Sequence, residues 1–395
     1  MKTCREDVAR CLAEIIRYQE NGKVPESLPR GLDADQLLKI AYEHQIMGYV
    51  GQVLLAMEGV LEEEKREEIH NVCLNLCFKA MIQKKEADVI QDLLEKNKIK
   101  NVLLKGYYMR QYYPKPELRE MSDIDLCVEE KALDEVIPLM ESLGYTFVKR
   151  ISNHDIYKKE PCITVEVHKN LFKGEIDKNQ HDYYSSMDKM QYVEGKNYSY
   201  KQNLEDFYIY MTSHMAGHFY KRGCGIRNLI DFYIFNKRFE NQLDRKYIDA
   251  QLLKCGLSDF EYHISNLSQM WLGDRPFKEF YYDLFEYMLN CGIYGKTEYG
   301  IWNEYAHVQD NKKNNSQFHR KLWYLLPPLH YMKKYYSFLR KIPFLLPVAW
   351  IVRIIRGAFF RKSVVRRDYL KRVSEKDIDM IQNIYRKVKL DFEPK

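Results

Sequence analysis

The 395-residue sequence has no CxxC pair among its nine cysteines, no convincing internal repeat and no strong excess of either charge. Each absence excludes something. Of the cysteines only Cys73 and Cys77 stand one helical turn apart, and no second pair completes a zinc site. Both fall in an apolar helical pattern, so core packing is their expected role. The odd count, with no apolar signal segment after the charged start Met1–Asp7, makes the reducing cytoplasm the expected compartment. The apolar stretch Ile342–Val352 holds eleven uncharged residues before Arg353, short of the roughly 20 that span a bilayer. A net charge of +6 from 62 basic and 56 acidic residues gives little support for nucleic acid as a partner. His214 and His218 have metal-ligand spacing, but no Glu follows His214, so the zinc-protease helix motif is missing.

What is present is a globular composition, with 46% hydrophobic and 30% charged residues, and length for two or three domains. The informative stretch is Leu103-Leu104-Lys105-Gly106 followed by Arg119 to Val128. In the second part Asp123, Asp125 and Cys127 alternate with Ile124, Leu126 and Val128, the period of a strand. Two carboxylates inside an apolar run call for a compensating cation. Forty-one residues beyond Asp125, Glu166 shares a strand face with Thr164 and His168, opposite Ile163, Val165 and Val167. If the two strands are neighbours, Asp123, Asp125 and Glu166 converge as hard oxygen ligands suited to Mg2+ or Mn2+. Asn101–Leu104 reads as a strand, Lys105-Gly106 as a turn and Tyr107–Tyr113 as a short helix. Such a turn lets backbone approach phosphate. The plainer alternatives are a solvated edge strand for Asp123 and Asp125, a surface acid for Glu166, and an ion pair of Arg119 with Asp123.

This order of Gly turn, Asp-x-Asp strand and later lone acid resembles the polymerase-β-like nucleotidyltransferase superfamily. More narrowly, Leu103–Gly106, Tyr112-Tyr113-Pro114, Arg119, Asp123–Leu126 and Glu166-Val167-His168 resemble the uncharacterised bacterial nucleotidyltransferase family, over about residues 85–240. The resemblance implies an α+β fold: a mixed β-sheet with covering helices, flanked by helical N- and C-terminal parts. It implies transfer of a nucleoside monophosphate from an NTP, with ATP expected, to a hydroxyl of a small molecule, peptide or protein, with pyrophosphate leaving. Asp123, Asp125 and Glu166 would be the catalytic and metal-holding acids. Lys105, Gly106, Arg119, His168, His214, His218, Arg227 and Asp231 would line the nucleotide or acceptor pocket. Buried, hydrogen-bonded helix positions are the alternative for the last four. The superfamily's usual Gly-Ser is Gly106-Tyr107 here. The alternative function is therefore a catalytically inactive nucleotide-binding or interaction protein of the same fold.

Four parts are expected: helices over 1–97, the catalytic core over 98–200, helices over 201–292 and a basic helical part over 293–395. Helical spacing predicts helices over residues 5–20, from Asp33 to about Ile46, over 62–95 and 133–143, and in five segments between Leu204 and Asn290. Tyr145–Val148, Asp155–Lys158 and Ile163–His168 read as strands, with helices on one sheet face and the acids on the open face. The polar stretch Gly292–Ser316, including Asp310, Asn311, Lys312, Lys313, Asn314 and Asn315, reads as an exposed connection or a lid. The 32 tyrosines are expected to pack between helices rather than stack on bases. Residues 341–367, with Arg353, Arg356, Arg361, Lys362, Arg366 and Arg367, form a basic amphipathic segment. It either docks on the protein or makes peripheral contact with an anionic membrane.

Overall fold

The computed structural model describes residues 5–151, 154–171, 187, 190–273, 275–310, 326–359 and 374–390. Four helices come first: α1 (Arg5–Asn21), α2 (Ala34–His44), α3 (Met47–Ala56) and α4 (Glu63–Lys96). Asp33 opens α2 with a capping box: its carboxylate accepts from the Gln36 N–H at 2.8 Å, and the Gln36 side chain accepts from the Asp33 N–H at 3.1 Å. The chain stops at Gln45, which is left-handed (φ 54°), so the helix expected to reach Ile46 ends earlier and α3 begins afresh.

The middle of the chain is a seven-stranded mixed sheet. Its strands are β1 (Asn101–Leu103), β2 (Ile124–Val128), β3 (Thr146–Ile151), β4 (His154–Lys159), β5 (Ile163–His168), β6 (Gln191–Tyr192) and β7 (Ser199–Lys201), in the order β3-β4-β5-β2-β1-β7-β6. The pairs β2/β5 and β1/β7 are parallel and the others antiparallel. Two helices interrupt it, α5 (Lys105–Arg110) between β1 and β2, and α6 (Leu133–Ser142) between β2 and β3. Glu95 near the end of α4 fastens β7 to the sheet, accepting from the N–H groups of Asn197 and Tyr198 and the Ser199 hydroxyl at 2.7–2.9 Å.

Alternation sorts the side chains of β2 and β5. Ile124, Leu126, Val128, Ile163, Val165 and Val167 enter a core completed by Ala87, Ile90 and Leu94 of α4 and by Val136 and Met140 of α6. On the opposite face Cys127, with Val102 and Tyr200, joins a second, larger core. The acid-bearing face is thus not open along its length, because the helices after the sheet bring Phe207, Met211 and Met215 that need burial against it.

Those helices are α7 (Leu204–Arg222), α8 (Arg227–Phe239), α9 (Arg245–Lys254), α10 (Ser258–Leu272) and α11 (Glu279–Cys291). Asn203 caps α7, accepting from the Asp206 N–H, and Asp244 caps α9. Apolar residues of α1 to α3, of α7 to α11 and of the last helix share this larger core. Trp271 donates to the Ala9 carbonyl at 2.8 Å, tying α10 to α1. Tyr208, Tyr287 and Tyr385 are buried between helices as expected, whereas Tyr42, Tyr262 and Tyr335 are exposed.

Two C-terminal expectations change. The segment read as a loop over Gly292–Ser316 contains α12 (Thr297–Asp310). Its polar surface hides a packed side: Tyr299 and Ile301 are buried, and Asn303 donates to Tyr385 OH at 2.8 Å while accepting from Tyr287 OH at 3.0 Å. Asn311, Lys312, Lys313, Asn314, Asn315 and Ser316 lie outside the described residues. The second change concerns α13 (Leu329–Tyr335) and α14 (Leu346–Phe359), which build a small separate core around Tyr331, Met332, Leu339 and Ala349. Arg361, Lys362, Arg366 and Arg367 lie outside the described residues. The final helix, α15 (Glu375–Val388), rejoins the large core. Among the described residues no helix is long and apolar enough to cross a membrane.

Candidate active site

The site begins with a register. β2 and β5 are the parallel pair, and Asp125 stands directly opposite Glu166. Both carboxylates therefore leave the same sheet face, and Asp123 lies just ahead of β2 beside them. Burial, then the neighbouring charges of Asp125 and Glu166, push the Asp123 carboxyl well above the usual carboxylate range. Asp125 goes the other way. Burial works to raise it, but the hydrogen bond from His168 Nε2 at 3.0 Å and the charge behind it hold Asp125 below its ordinary value. His168 responds in kind: burial lowers it, Asp125 outweighs burial, and the imidazole is raised.

The stretch that carries Asp123 into place is pinned by side chains from three helices and a loop, and by a backbone N–H of a fourth helix. Gln83 of α4 donates to the Met121 carbonyl at 3.1 Å. Arg110 of α5 donates to the Arg119 carbonyl at 3.0 Å and to Gln83 at 2.8 Å. Arg227 of α8 donates to the Glu120 carbonyl at 2.8 Å, and the Glu120 carboxylate accepts from the Met47 N–H of α3 at 2.6 Å. Gln45 donates to the Ser122 hydroxyl at 2.8 Å and accepts from Arg227.

Arg119 does not pair with Asp123. It meets Asp231 of α8 in a two-pronged ion pair, Nε to Oδ1 at 2.8 Å and Nη2 to Oδ2 at 2.9 Å, with the side chains 3% and 5% exposed. Tyr113 donates to the same carboxylate at 2.6 Å, and Arg119 Nη1 reaches the Gly106 carbonyl at 3.4 Å. Arg119 therefore fastens the first turn of α5 to α8. Lys105 and Arg227 are two further cations near this pair. Lys105 is pushed down to about 8 by burial and then by the Arg119 charge. Its ammonium donates to His214 Nδ1 at 2.7 Å, which makes His214 the acceptor at that nitrogen. Burial lowers both His214 and His218, whose rings lie 4.6 Å apart, so both are neutral at neutral pH. The Nε–H of buried Arg227 has no hydrogen-bond partner.

The sequence-proposed positions are thus placed: Asp125, Glu166 and His168 on the sheet face with Asp123 just ahead of β2, and His214, His218, Arg227 and Asp231 on the helices above it. Lys105 and Gly106 are not a turn before a helix over Tyr107–Tyr113: they form the first turn of α5 itself, which starts at Lys105 behind the extended Leu104 and ends at Arg110. Tyr107 does not supply the missing serine hydroxyl, because its OH donates to Asp88 of α4 at 2.6 Å. Sequence reasoning missed His154. It pairs with His168 across β4 and β5, and its Nε2 lies 3.3 Å from Glu166. A lone histidine carries no signal until its register is known.

A model of the family described as uncharacterised nucleotidyltransferase matches residues 30–273, from the approach to α2 through α10. Nothing matches among curated proteins or among solved structures.

Proposed function

We propose, from the premise that the chain belongs to the uncharacterised nucleotidyltransferase family, that it moves a nucleoside monophosphate from an NTP to a hydroxyl acceptor in a metal-dependent reaction. The observation that carries this reading is the placement of Asp125 opposite Glu166 with Asp123 beside them. Three oxygen donors, one of them raised by burial and then by the like charge of the other two, fit a divalent cation. Such an ion, held by Asp123, Asp125 and Glu166, would supply charge neutralisation at the phosphates and acidify the acceptor hydroxyl.

The chain's own residues do the rest. Lys105 offers positive charge next to the acids, and Arg227 adds to it from beside Lys105, where a triphosphate needs it. Arg119, locked to Asp231, reaches the Gly106 carbonyl and so sets the start of α5, where the phosphates would lie. The side chains pinning residues 119–122 fix where Asp123 stands before any ligand arrives, which lowers the reorganisation needed for reaction. Glu166, on the side of the cluster next to His154 and His168, is suited to face the acceptor. On this proposal 98–200 is the catalytic core and 201–292 supplies pocket walls.

The test is calorimetric titration of the four NTPs, with Mg2+ or Mn2+, into wild type and the Asp123→Ala/Asp125→Ala variant. Metal-dependent binding lost in the variant supports the acid set. Equal binding by both proteins sinks it. The competing reading, a nucleotide binder without turnover, rests on the Tyr107 hydroxyl being engaged by Asp88. Pyrophosphate release across a screen of hydroxyl acceptors separates the two.

A further inference from the structure

Beyond the three acids, nitrogen donors converge on the same sheet face. His154 opens β4 and stands opposite His168 at the end of β5, with Glu166 two residues back on the same face. His154 Nε2 lies 3.3 Å from Glu166 Oε2, His168 Nε2 lies 3.6 Å from the same oxygen, and His168 Nε2 lies 3.0 Å from Asp125 Oδ1. Ligand atoms of His154, Glu166 and His168 all fall within 4.8 Å of one another. Ligands about 2.1 Å from one ion are separated by roughly 3.0 Å at right angles and roughly 3.4 Å at the tetrahedral angle. The two nitrogen-to-Glu166 separations straddle the tetrahedral value, and release of the His168 Nε2 proton on metal binding would free that nitrogen from its hydrogen bond to Asp125. The side chains are only 16–23% exposed, so the donors are held in place by the sheet rather than free to swing into water.

We infer that His154, Glu166 and His168, with Asp125 at their edge, form a binding site for a borderline divalent metal of the zinc, cobalt or manganese class. Two imidazoles and a carboxylate favour such ions over magnesium, whose preferred partners are all oxygen. The inference rests on the reading of Glu166 as a metal-facing acid, and it changes the class of ion on that side of the cluster. The acids near Asp123 remain a hard, oxygen-only position for the nucleotide's own ion.

Metal-free full-length protein titrated with Co2+ without nucleotide tests this. One equivalent of Co2+ should give visible d–d absorption of low coordination number, and millimolar Mg2+ should not displace it. His154→Gln, with an unchanged circular dichroism spectrum, should weaken binding by at least about tenfold. Asp123→Asn should keep the cobalt spectrum while losing Mg2+-nucleotide binding, so the two readings fail separately. No visible band, a band indifferent to His154→Gln, displacement by Mg2+ or a thiolate-to-cobalt charge-transfer band would each overturn the inference.

A different observation carries a second inference. In α14 the residues turned toward the small C-terminal core are Leu346, Ala349, Trp350 and Arg353. Trp350 donates to the Pro327 carbonyl at 2.8 Å, and the Arg353 guanidinium lies over the Tyr331 ring. The aliphatic stripe Val348, Ile351, Ile354 and Ile355 falls on the other side and is exposed, and Phe344 just before the helix is 79% exposed. The helix therefore does not dock by its most apolar face. Arg340 and Lys341 beside the stripe are exposed, and the sequence from 311 to 367 holds fourteen Lys or Arg and no Asp or Glu.

An exposed apolar stripe on a stretch whose sequence carries only basic charge points to one occupant, and we propose that it inserts into the surface of an anionic lipid bilayer. The full chain should sediment with vesicles of phosphatidylcholine and phosphatidylglycerol, much less with phosphatidylcholine alone, and less in high salt. Ile351→Asp/Ile355→Asp should cut partitioning by at least about tenfold without changing the circular dichroism spectrum. Failure to bind anionic vesicles, or binding untouched by the double variant, would overturn the proposal. A concentration-dependent dimer abolished by the same variant would overturn it too and assign the face to a second copy.

Discussion

Asp125 and Glu166 sit opposite each other on neighbouring parallel strands, while the chain between them turns through α6, β3 and β4. Their register gives the acid cluster its geometry, and the consequences divide into function and stability.

Asp125→Asn keeps the shape and removes the charge that Glu166 and Asp123 share with a cation. Nucleotidyl transfer should fall on the order of a thousandfold, with Mg2+-nucleotide binding weakened in parallel. Steady-state pyrophosphate release is the measurement; a variant within a few-fold of wild type would refute the role.

Asp123 stores the opposite effect. Its folded-state carboxyl is raised above its unfolded value, so at neutral pH the charge opposes folding, and this cost disappears as pH falls toward the unfolded range. Asp123→Asn should therefore stabilise the metal-free protein at pH 7, by about 1 kcal/mol given its partial exposure. Urea denaturation at pH 7 and pH 4 should show the gain only at the higher pH.

The Arg119–Asp231 pair is fully enclosed, so removing one partner strands the other. Asp231→Ala should cost about 3–5 kcal/mol, more than Tyr113→Phe, which removes only one hydrogen bond to the same carboxylate. Chemical denaturation of the three proteins gives the comparison. A loss below 1 kcal/mol for Asp231→Ala would show that the guanidinium finds water or another acid.

Lys105 titrates near 8 before ligand arrives. A triphosphate favours the ammonium, so affinity should be constant below that value and fall above it, by up to about tenfold per pH unit. Lys105→Arg should flatten the profile, because a guanidinium stays charged. Calorimetry at fixed Mg2+ from pH 7 to 9.5 reads both.

Much of this was legible because period-two alternation is strict where one sheet face is buried. Asp123 to Val128 and Ile163 to His168 carry their pairing face in the sequence, and the helices from Leu204 to Cys291 carry a matching 3.6-residue rhythm. Elsewhere the signal was too short or too distant. β6 and β7 have two and three residues, below any detectable period. α12 hid under a polar surface. Arg119 had an acid four residues away, but the partner that the fold provides is 112 residues away, and sequence spacing cannot rank those options. His154 acquired meaning only from the antiparallel register of β4 with β5.

The shared core has a bearing on how the chain is made. Synthesis runs from the N-terminus, and α1 leaves the ribosome long before Trp271, whose indole closes over Ala9 from 262 residues away. Arg119 likewise emerges well ahead of Asp231. Until the second group of helices arrives, the nascent chain presents a half-built core and a cationic turn without its acid. α1 is thus among the last of these helices to find its place.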